Sequence, residues 1–484
     1  MYFNSWQFAF FFLATYLLYL LVRNFRLQNL LLLFASYYFY AAWNWRFLSL
    51  IFISTVVDYI CGIELDKTSS AGKRKILVTI SILTNLGILG FFKYFNFFVQ
   101  SMEGMVGSLG LDASSMRLDL ILPVGISFYT FQTMSYTLDI YRGEMKSTRN
   151  FLDFALFVAF FPQLVAGPIE RAKELLPQMS RPRTVTQQAF YSGCWLIFWG
   201  LWKKVVVADN LAYLADPVFR GSANASALQA YLGVTAFAGQ IYCDFSGYSD
   251  IARGLARIMG FDLMRNFNLP YFAANPSDFW RRWHISLSTW LRDYLYIPLG
   301  GNRGSPLATY RNLFLTMFLG GLWHGASWNF AWWGIYHGLV LMGCRFISTV
   351  RPEWEKYRGG VRHFFNVFAT YHVTLVGWLL FRATRRVMAA GGQMRDDGVR
   401  QILEMIGAWQ NGLGFNATSL EMLKTLCFIS LPLFIVQWLQ HHTRDHYIML
   451  RWRAPARIAF FAYLGWMWLL YGVQQGNAFI YFQF

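Results

Sequence analysis

The sequence predicts an all-α polytopic membrane protein, and three observations lead to this prediction. Apolar residues make up 56% of the 484 residues and charged residues only 14%, whereas a soluble domain is about a quarter charged and less than half apolar. The mean hydropathy is +0.33. The apolar residues also recur in long runs, and about 20 such residues cross a bilayer as a helix. A chain of this composition could not cover its surface in water, which excludes soluble, disordered and disulfide-rich secreted proteins.

Apolar runs recur along the whole chain and are the candidate membrane helices. They begin near residues 6, 28, 46, 76, 119, 189, 227, 311, 330, 364, 425 and 457. A further run, 151–168, is interrupted by Pro162, Gly167 and Pro168, and basic stretches precede and follow it. We therefore expect this run to enter and leave the membrane on one side. Such a re-entrant backbone survives at membrane depth only where protein or a water-filled cavity surrounds it.

The cations assign the sides of the membrane. The formal net charge is +17, and Lys and Arg stand mostly between apolar runs, as cytoplasmic loops require. The charge therefore does not indicate a nucleic-acid partner. Arg23 and Arg26 follow the first run, which puts the N-terminus outside. We expect the basic segment 253–303 in the cytoplasm and the tail Gln474–Phe484 outside. The loop 382–424 should be external, although it is rich in arginine.

His324 is the most informative polar residue within the apolar runs, and it lies in the sequence GGLWHG at residues 320–325. An ionisable side chain at membrane depth is costly and is by default a candidate functional residue. The neighbouring glycines let another backbone or a ligand approach closely. A neutral histidine can act as a general base near physiological pH. The alternative is a structural histidine that bonds a neighbouring carbonyl.

His284 lies in a segment that predicts an amphipathic cytoplasmic helix. Asn275 is a good N-cap, and Pro276 suits the first helical position. One face of a continuous helix would carry the side chains directed into the protein, namely Trp280, His284, Leu287 and Leu291. Arg281 would lie at the rim. The alternative is an interfacial helix with a tryptophan belt and snorkelling arginines, and that alternative explains every residue except His284.

Other polar residues near the apolar runs are candidates for supporting roles. His337 lies in the apolar run after His324, where a supporting or structural role is expected. Asp244 and Tyr248 follow an apolar run and could orient a histidine or pair with Arg253, and structural ion pairing is the favoured interpretation. The turn 300–304, GGNRG, could hold a phosphate through its backbone N–H groups. An ordinary glycine turn is the simpler explanation.

Motifs of other protein classes are absent from the sequence. No internal repeat appears in the hydropathy, which counts against transporters built from inverted repeats. No arginine ladder or filter-like loop indicates a voltage sensor or a channel. The sequence also lacks the G-x-S-x-G, H-E-x-x-H, Walker and G-x-G-x-x-G patterns, and each of these patterns marks a known class of soluble active site. We therefore expect neither a metal site nor a tightly bound cofactor.

Several motifs together resemble the signature of the membrane-bound O-acyltransferase family. They read FWRRWHISL from residue 279, RDYLYIPLGGNR from residue 292 and GLWHG from residue 321. The match extends to LPVGISF from residue 122, FPQLVAGP from residue 161 and the tail FIYFQF from residue 479. The resemblance covers nearly the whole chain except the loop near 385–422. The similar branch is the bacterial one that contains the membrane component of alginate O-acetyltransferase.

This resemblance implies one membrane domain over residues 1–484, in which a ring of tilted helices with re-entrant and cytoplasmic helices surrounds a central catalytic tunnel. Segment 253–303 would form a cytoplasmic funnel within it, and 382–424 a variable loop. The family's catalytic histidine falls on His324, and the second family position falls on His284. The residues expected to bind the donor are Trp280, Arg281, Arg282, Arg303 and Trp323. The residues expected to support the two histidines are Asp244, Tyr248 and His337.

The resemblance also implies an enzyme of the bacterial inner membrane. Such an O-acyltransferase would move an acetyl group from a cytoplasmic thioester, acetyl-CoA, toward an extracytoplasmic polysaccharide such as alginate or another exopolysaccharide. A periplasmic partner of the SGNH hydrolase type would assist the transfer. One alternative is D-alanyl or other acyl transfer to teichoic acid or peptidoglycan. A second alternative is O-acylation of a lipid or a protein. A third is that the chain is not an enzyme but a transporter of acyl groups or polysaccharide.

Overall fold

The structure is a computed structural model, and it confirms the prediction of an all-α polytopic membrane protein. It describes residues 1–107, 116–165, 167–351, 360–383, 386–388, 394–396, 398–473 and 479–480. Within these described residues, four helical stretches are long and apolar enough to cross a membrane by length and composition. These stretches are Phe25–Lys67, Ala71–Glu103, Gly360–Arg382 and Ala417–Thr443.

In the first half of the chain, each of the predicted apolar runs that begin near residues 6, 28, 46, 76, 119 and 189 overlaps a helix. The helices of this half are α1 (Trp6–Leu21), α2 (Phe25–Asn44), α3 (Leu48–Lys67), α4 (Ala71–Leu89), α5 (Phe95–Gly107), α6 (Ile126–Arg142), α7 (Phe151–Ala159), α8 (Phe161–Leu164), α9 (Ala172–Met179), α10 (Gln187–Trp202) and α11 (Asp209–Arg220). A π-helical turn, Gly90–Tyr94, joins α4 to α5, and a second one, Lys203–Ala208, joins α10 to α11.

The helices of the second half include two short ones in the polar segment 253–303. They are α12 (Ala227–Ile258), α13 (Pro276–Arg282), α14 (Ile285–Leu291), α15 (Pro306–His324), α16 (Trp328–Val350), α17 (Gly360–Arg382), α18 (Gly398–Ile406), α19 (Ala417–Thr443) and α20 (Ala454–Tyr471). Two short antiparallel strands, β1 (Arg386–Met388) and β2 (Met394–Asp396), pair between α17 and α18.

The chain packs as two compact units. One comprises Met1–Ile197 with Ile251–Met264, and the other comprises Phe198–Asp250 with Arg265–Phe484. The expectation of a single membrane domain stays a prediction. Within the variable loop 382–424, residues 384, 385, 389–393 and 397 lie outside the described residues, and so do 474–478 and 481–484 of the predicted external tail.

A buried polar cluster joins three helices of the first unit. The Asp58 carboxylate on α3 accepts hydrogen bonds from the Ser81 hydroxyl at 2.5 Å and the Asn85 amide at 2.8 Å, both on α4. The Ser81 hydroxyl also lies 2.8 Å from the Thr137 hydroxyl on α6. Polar side chains at membrane depth must find partners within the protein. This cluster therefore specifies how α3, α4 and α6 face one another.

The interrupted run 151–168 forms no membrane-crossing helix. It divides into α7 and the single turn α8, with a break at Phe160. Nine residues extend about 14 Å at 1.5 Å per residue, which is less than half of a hydrocarbon core of about 30 Å. The side chains of Phe154–Phe161 are fully buried. This burial fits the expectation of a short segment surrounded by protein. That both ends of the run lie on one side stays a prediction.

Glycines let α15 and α16 of the second unit pack at close range. A Cβ atom on Gly321 would lie 2.9 Å from the Cα of Gly334, and a Cβ on Gly334 would lie 2.6 Å from the Met317 carbonyl oxygen. Real Cβ atoms do not approach other atoms so closely, so the two backbones touch here without side chains between them. This contact positions the end of α15, where His324 lies.

We expect Gly334→Ala to destabilise the protein by about 1–3 kcal/mol, the usual cost of overpacking, because the added methyl group collides with the backbone of α15. The midpoint of thermal unfolding in detergent measures the effect. Gly343→Ala on the same helix is the control, since nothing lies within 4 Å of its Cβ position. Equal midpoints for the two variants would contradict the close helix contact.

Candidate functional site

His284 lies at a break between two helices, and the expectation of one continuous helix there is wrong. The start is as predicted: the Asn275 side chain accepts a hydrogen bond from the Asp278 N–H at 2.7 Å, and Pro276 follows as the first helical residue. The helix α13 then ends at Arg282, and His284 adopts a left-handed conformation with φ 43° and ψ 55° before α14 begins. Trp280 and His284 therefore do not share a helical face.

Backbone hydrogen bonds from a distant segment stabilise this break. The N–H of Asn268 donates to the carbonyl of Arg282 at 2.9 Å, and the N–H of Ile285 donates to the carbonyl of Asn266 at 2.9 Å. A positive φ at a residue other than glycine costs roughly 1–3 kcal/mol and persists where the surrounding structure determines it. The segment 266–268 supplies that surrounding structure, and it runs beside the break on both sides of His284.

The His284 imidazole is fully buried and held by polar and aromatic contacts. Its Nδ1 lies 3.1 Å from Oδ1 of Asn266. The ring of Phe245 on α12 meets it edge-on, with centroids 4.7 Å apart. Burial lowers the pKa of His284 to about 3, because a charged imidazolium loses its hydration there. The ring is therefore neutral at physiological pH and can act as a base or a hydrogen-bonding group.

His324 is the last residue of α15, and it lies beside His284. Its side chain is 4% exposed. The two imidazole centroids are 6.3 Å apart. The Trp323 ring lies against both, with centroids 5.9 Å from His284 and 5.1 Å from His324. The structure thus brings together the two histidines singled out in the sequence. Their surroundings are aromatic and buried, and electrostatic interactions and hydrogen bonds are stronger in such a low-dielectric environment than in water.

Two further aromatic residues connect the predicted site residues on α13 and α16 to this pair. Trp280 lies 5.5 Å from Trp333 and 5.1 Å from His337, measured between ring centroids. Trp333 in turn lies 5.0 Å from His324 and 4.8 Å from His337. Gly377 on α17 faces the His337 ring at van der Waals distance and has no room for a Cβ. His337 therefore contacts the neighbours of His324, a position that suits a supporting role.

The three predicted donor-binding arginines differ in their surroundings. Arg281 has a side chain that is 65% exposed, and it lies 3.7 Å from the Asp278 carboxylate. Arg282 is half-buried and forms a closer ion pair with Asp278 at 2.9 Å. Arg303 is exposed in a turn whose glycines Gly300 and Gly301 have positive φ. Arg281 is consequently better placed than Arg282 to meet an anionic ligand from solution.

Asp244 belongs to a buried network of ion pairs, and its cationic partner is Lys204 of the π-helical turn. The Lys204 ammonium lies 2.8 Å from Asp244 and 2.8 Å from Asp209. Asp244 also accepts a hydrogen bond from the backbone N–H of Ile480 at 2.7 Å. Tyr248 packs against Phe479, with centroids 4.4 Å apart. The favoured interpretation of Asp244, structural ion pairing, therefore has its partner in Lys204 instead of Arg253.

The sequence-based prediction missed three residues that shape this site. Lys203 and Lys204 interrupt an apolar run and are buried. Two lysines within an apolar run were a usable signal, since such residues are costly at membrane depth. Lys203 pairs with Asp250 at 2.8 Å. Asn266 carried no signal, because an asparagine in a polar loop is an ordinary residue.

Comparison with known proteins assigns the chain to a family. The model of the membrane-bound O-acyltransferase family matches residues 142–372. A probable alginate O-acetylase AlgI of Azotobacter vinelandii is 46% identical over 394 residues, which cover 79% of this chain and 75% of that protein. The protein of the same name from Pseudomonas aeruginosa is 43% identical over 446 residues, 91% of this chain and 83% of that protein. The peptidoglycan O-acetyltransferase of Helicobacter pylori is 36% identical over 398 residues, which cover 77% of this chain and 74% of that protein.

We expect Lys204→Met to destabilise the protein by about 3–5 kcal/mol, because it leaves two buried carboxylates without their shared cation. The midpoint of thermal unfolding and the amount of protein in the membrane fraction measure the effect. Lys424→Met is the matched control, since the Lys424–Glu421 pair is largely exposed and such pairs contribute little. If the two variants lose equal stability, the buried network is not a major structural element.

Proposed function

The chain belongs to the membrane-bound O-acyltransferase family, and from this premise we propose that it acetylates an alginate-like polysaccharide through its two buried histidines. Members of the family are enzymes, so the chain is a multi-pass membrane O-acyltransferase and not a transporter. The observation that carries the proposal is the 6.3 Å separation of the His284 and His324 rings at the meeting point of α13, α14 and α15.

His324 acts as the general base in this proposal. It takes the proton from the acceptor hydroxyl while that oxygen attacks the thioester carbonyl. A C–O ester bond forms and the C–S bond breaks, and the thiolate then takes up a proton as it leaves. His284, held by Asn266, orients the donor carbonyl or an ordered water. A positioned base typically accelerates a reaction by about 10²–10⁴-fold.

Acetyl-CoA is the proposed donor, and it approaches from the cytoplasm. Its phosphates are anionic, and arginine pairs with phosphate through several parallel N–H groups. The exposed side chain of Arg281 supports this role. Arg282 is half-buried against Asp278, so its contribution is to hold α13 in place as well as to add positive charge. Arg303 adds a further exposed cation. Trp280 and Trp323 would line the path from these arginines to the histidines.

The acceptor is proposed from the relatives that cover most of this chain. The relatives from Azotobacter vinelandii and Pseudomonas aeruginosa carry the name probable alginate O-acetylase AlgI. We place the protein in the bacterial inner membrane with both termini outside, as the cations predict, and the 253–303 segment with the donor site inside. The acetyl ester formed on this first acceptor hydroxyl would then face the outer side. There a periplasmic SGNH-type partner would pass the acetyl group to a hydroxyl of the polymer, so that a new ester bond forms as the first one breaks and the first hydroxyl is regenerated.

A second acceptor, peptidoglycan, is favoured by one comparison, the Helicobacter pylori relative at 36% identity. A teichoic acid D-alanyltransferase of Bacillus subtilis is 30% identical over only 49% of this chain, which makes D-alanyl transfer the weaker candidate. Deletion of the gene, followed by acetyl analysis of exopolysaccharide and of peptidoglycan in the same cells, separates the acceptors. We expect the exopolysaccharide to lose its acetyl groups and the peptidoglycan to keep them.

His324→Ala should reduce polymer acetylation by about 10²-fold or more, the contribution of a general base, while the amount of protein in the membrane stays normal. Acetyl release from the isolated polymer and immunoblots of the membrane fraction measure the two quantities. His442→Ala is the control, because His442 is exposed and stacks only on its helix neighbour Trp438 within the described residues. Wild-type acetylation in cells that carry His324→Ala would contradict the assignment of His324 as the general base.

Arg281→Ala should raise the KM for acetyl-CoA by about tenfold and change kcat little, because one charge-assisted hydrogen bond to a phosphate contributes roughly 1.5–3 kcal/mol of binding. Steady-state assays in membrane vesicles with the donor varied measure both constants. Arg220→Ala removes an arginine that is 79% exposed and pairs with Asp216. Arg220 lies outside the 253–303 segment, so this variant should leave KM unchanged. An Arg281→Ala enzyme with an unaltered KM argues against donor binding by Arg281.

A further inference from the structure

Asn266 organises the surroundings of His284 through both ends of its side-chain amide. Its Oδ1 accepts hydrogen bonds from the Ser286 N–H at 3.2 Å and the Ser286 hydroxyl at 2.9 Å. Its Nδ2 donates to the Ser249 hydroxyl at 3.3 Å. Asn266 and His284 are 1% and 0% exposed. All of these contacts lie away from the reacting atoms that the proposed function assigns.

The orientation of the Asn266 amide follows from its partner on the backbone. A backbone N–H can only donate, so the atom that receives the Ser286 N–H must be the amide oxygen. That same oxygen lies 3.1 Å from Nδ1 of His284. Because the oxygen can only accept, Nδ1 must carry the imidazole proton. In the neutral ring, Nε2 is then the nitrogen with the basic lone pair. Of the two roles proposed for His284, this fits the orientation of an ordered water, which can donate to Nε2, and not that of the donor carbonyl, which can only accept.

We propose that Asn266 is a positioning residue that holds His284 in the Nδ1–H tautomer, so that Nε2 is the nitrogen that works in acyl transfer. The proposal deepens the proposed function, because it rests on the participation of His284 in the reaction. Asn266 also stabilises the left-handed backbone at His284, because its carbonyl oxygen accepts a hydrogen bond from the Ile285 N–H at 2.9 Å. One residue thereby determines both the backbone conformation and the proton position of the histidine.

The charged groups on the elements around His284 have partners of their own. On α12, Asp244 is bonded to Lys204, and Asp250 is bonded to Lys203. On α13, Arg282 pairs with Asp278. Beside Asn266, the Arg265 guanidinium contacts His446 at 2.6 Å. On α15, His324 is the titratable group whose ring faces His284.

Nitrogen-15 NMR of the full-length protein, labelled at histidine and reconstituted in lipid, reads the tautomer directly. The His284 signals are assigned by their disappearance in His284→Gln. We expect Nδ1 to be protonated and Nε2 to be unprotonated in the wild-type protein, and the exposed His442→Ala variant to leave this pattern of His284 unchanged. A wild-type His284 protonated at Nε2 would falsify the proposal.

Two substitutions at Asn266 test the consequence for activity. Asn266→Leu removes the acceptor, and we expect the kcat of acetyl transfer to fall on the order of 10²-fold, the scale of a misplaced orienting group. Asn266→Asp keeps an acceptor for Nδ1–H, so its activity should stay within about tenfold of wild type. Its added charge should move the acid limb of the kcat/KM profile to higher pH by about one unit or more, because a nearby carboxylate favours the protonated imidazole. His442→Ala is the control and should keep the wild-type profile, because His442 is exposed and stacks on Trp438.

The outcomes separate this proposal from the proposed function. Wild-type kcat in a normally abundant Asn266→Leu protein, or an Asn266→Asp profile that does not shift, overturns the positioning role. Wild-type turnover in His284→Gln instead contradicts the participation of His284, and the nitrogen-15 spectrum still decides the tautomer. If Asn266→Leu does not accumulate in the membrane, the wild-type spectrum and the Asn266→Asp profile still decide between the outcomes.

Discussion

The arrangement of the site depends on one constraint: a backbone N–H or C=O that is buried away from water must be hydrogen-bonded. A helix satisfies this constraint by itself, and a broken helix does not. The break at His284 is possible because residues 266–268 supply partners for the groups that the break exposes, from Asn268 N–H to Arg282 and from Ile285 N–H to Asn266. The position of the histidine is therefore determined by a segment remote in sequence. A continuous helix would have needed no such partner, and it would have placed His284 elsewhere.

Close packing of backbones brings the second histidine to the first. Gly321 and Gly334 let α15 and α16 touch, and the end of α15 then presents His324 among Trp323, Trp333 and Phe381. Without a hydrophobic driving force between helices in lipid, such small residues are the main means by which helices approach. The aromatic rings around the pair bury it, which would strengthen electrostatic interactions with the proposed thioester donor. The same burial would shield a reactive acyl group from hydrolysis.

Buried charges form a second layer behind the histidines. Lys203 and Lys204 are held by Asp250, Asp244 and Asp209, and Asp244 also binds the backbone at Ile480. A buried ion network is weak evidence for stability by itself, because desolvation opposes the attraction. Its partners are nonetheless specific, and they tie α12 and the π-helical turn to the chain near its C-terminus. Phe479 packs on Phe245, which in turn meets the His284 ring, so this network supports the wall of the site.

The sequence by itself determined that the protein lies in a lipid bilayer and which residues are candidates for its chemistry. Apolar runs of sufficient length predict helices wherever they occur, and an ionisable residue such as His324 is visible in them because lipid makes it costly. The N-cap at Asn275 was equally visible, because capping depends only on neighbouring residues. Tertiary structure alone decided that α13 stops at Arg282, that Asn266 meets His284, and that Lys204 is the partner of Asp244. Each of these contacts joins residues far apart in the chain, and neither periodicity nor local propensity carries information about which distant group will satisfy a buried donor or acceptor.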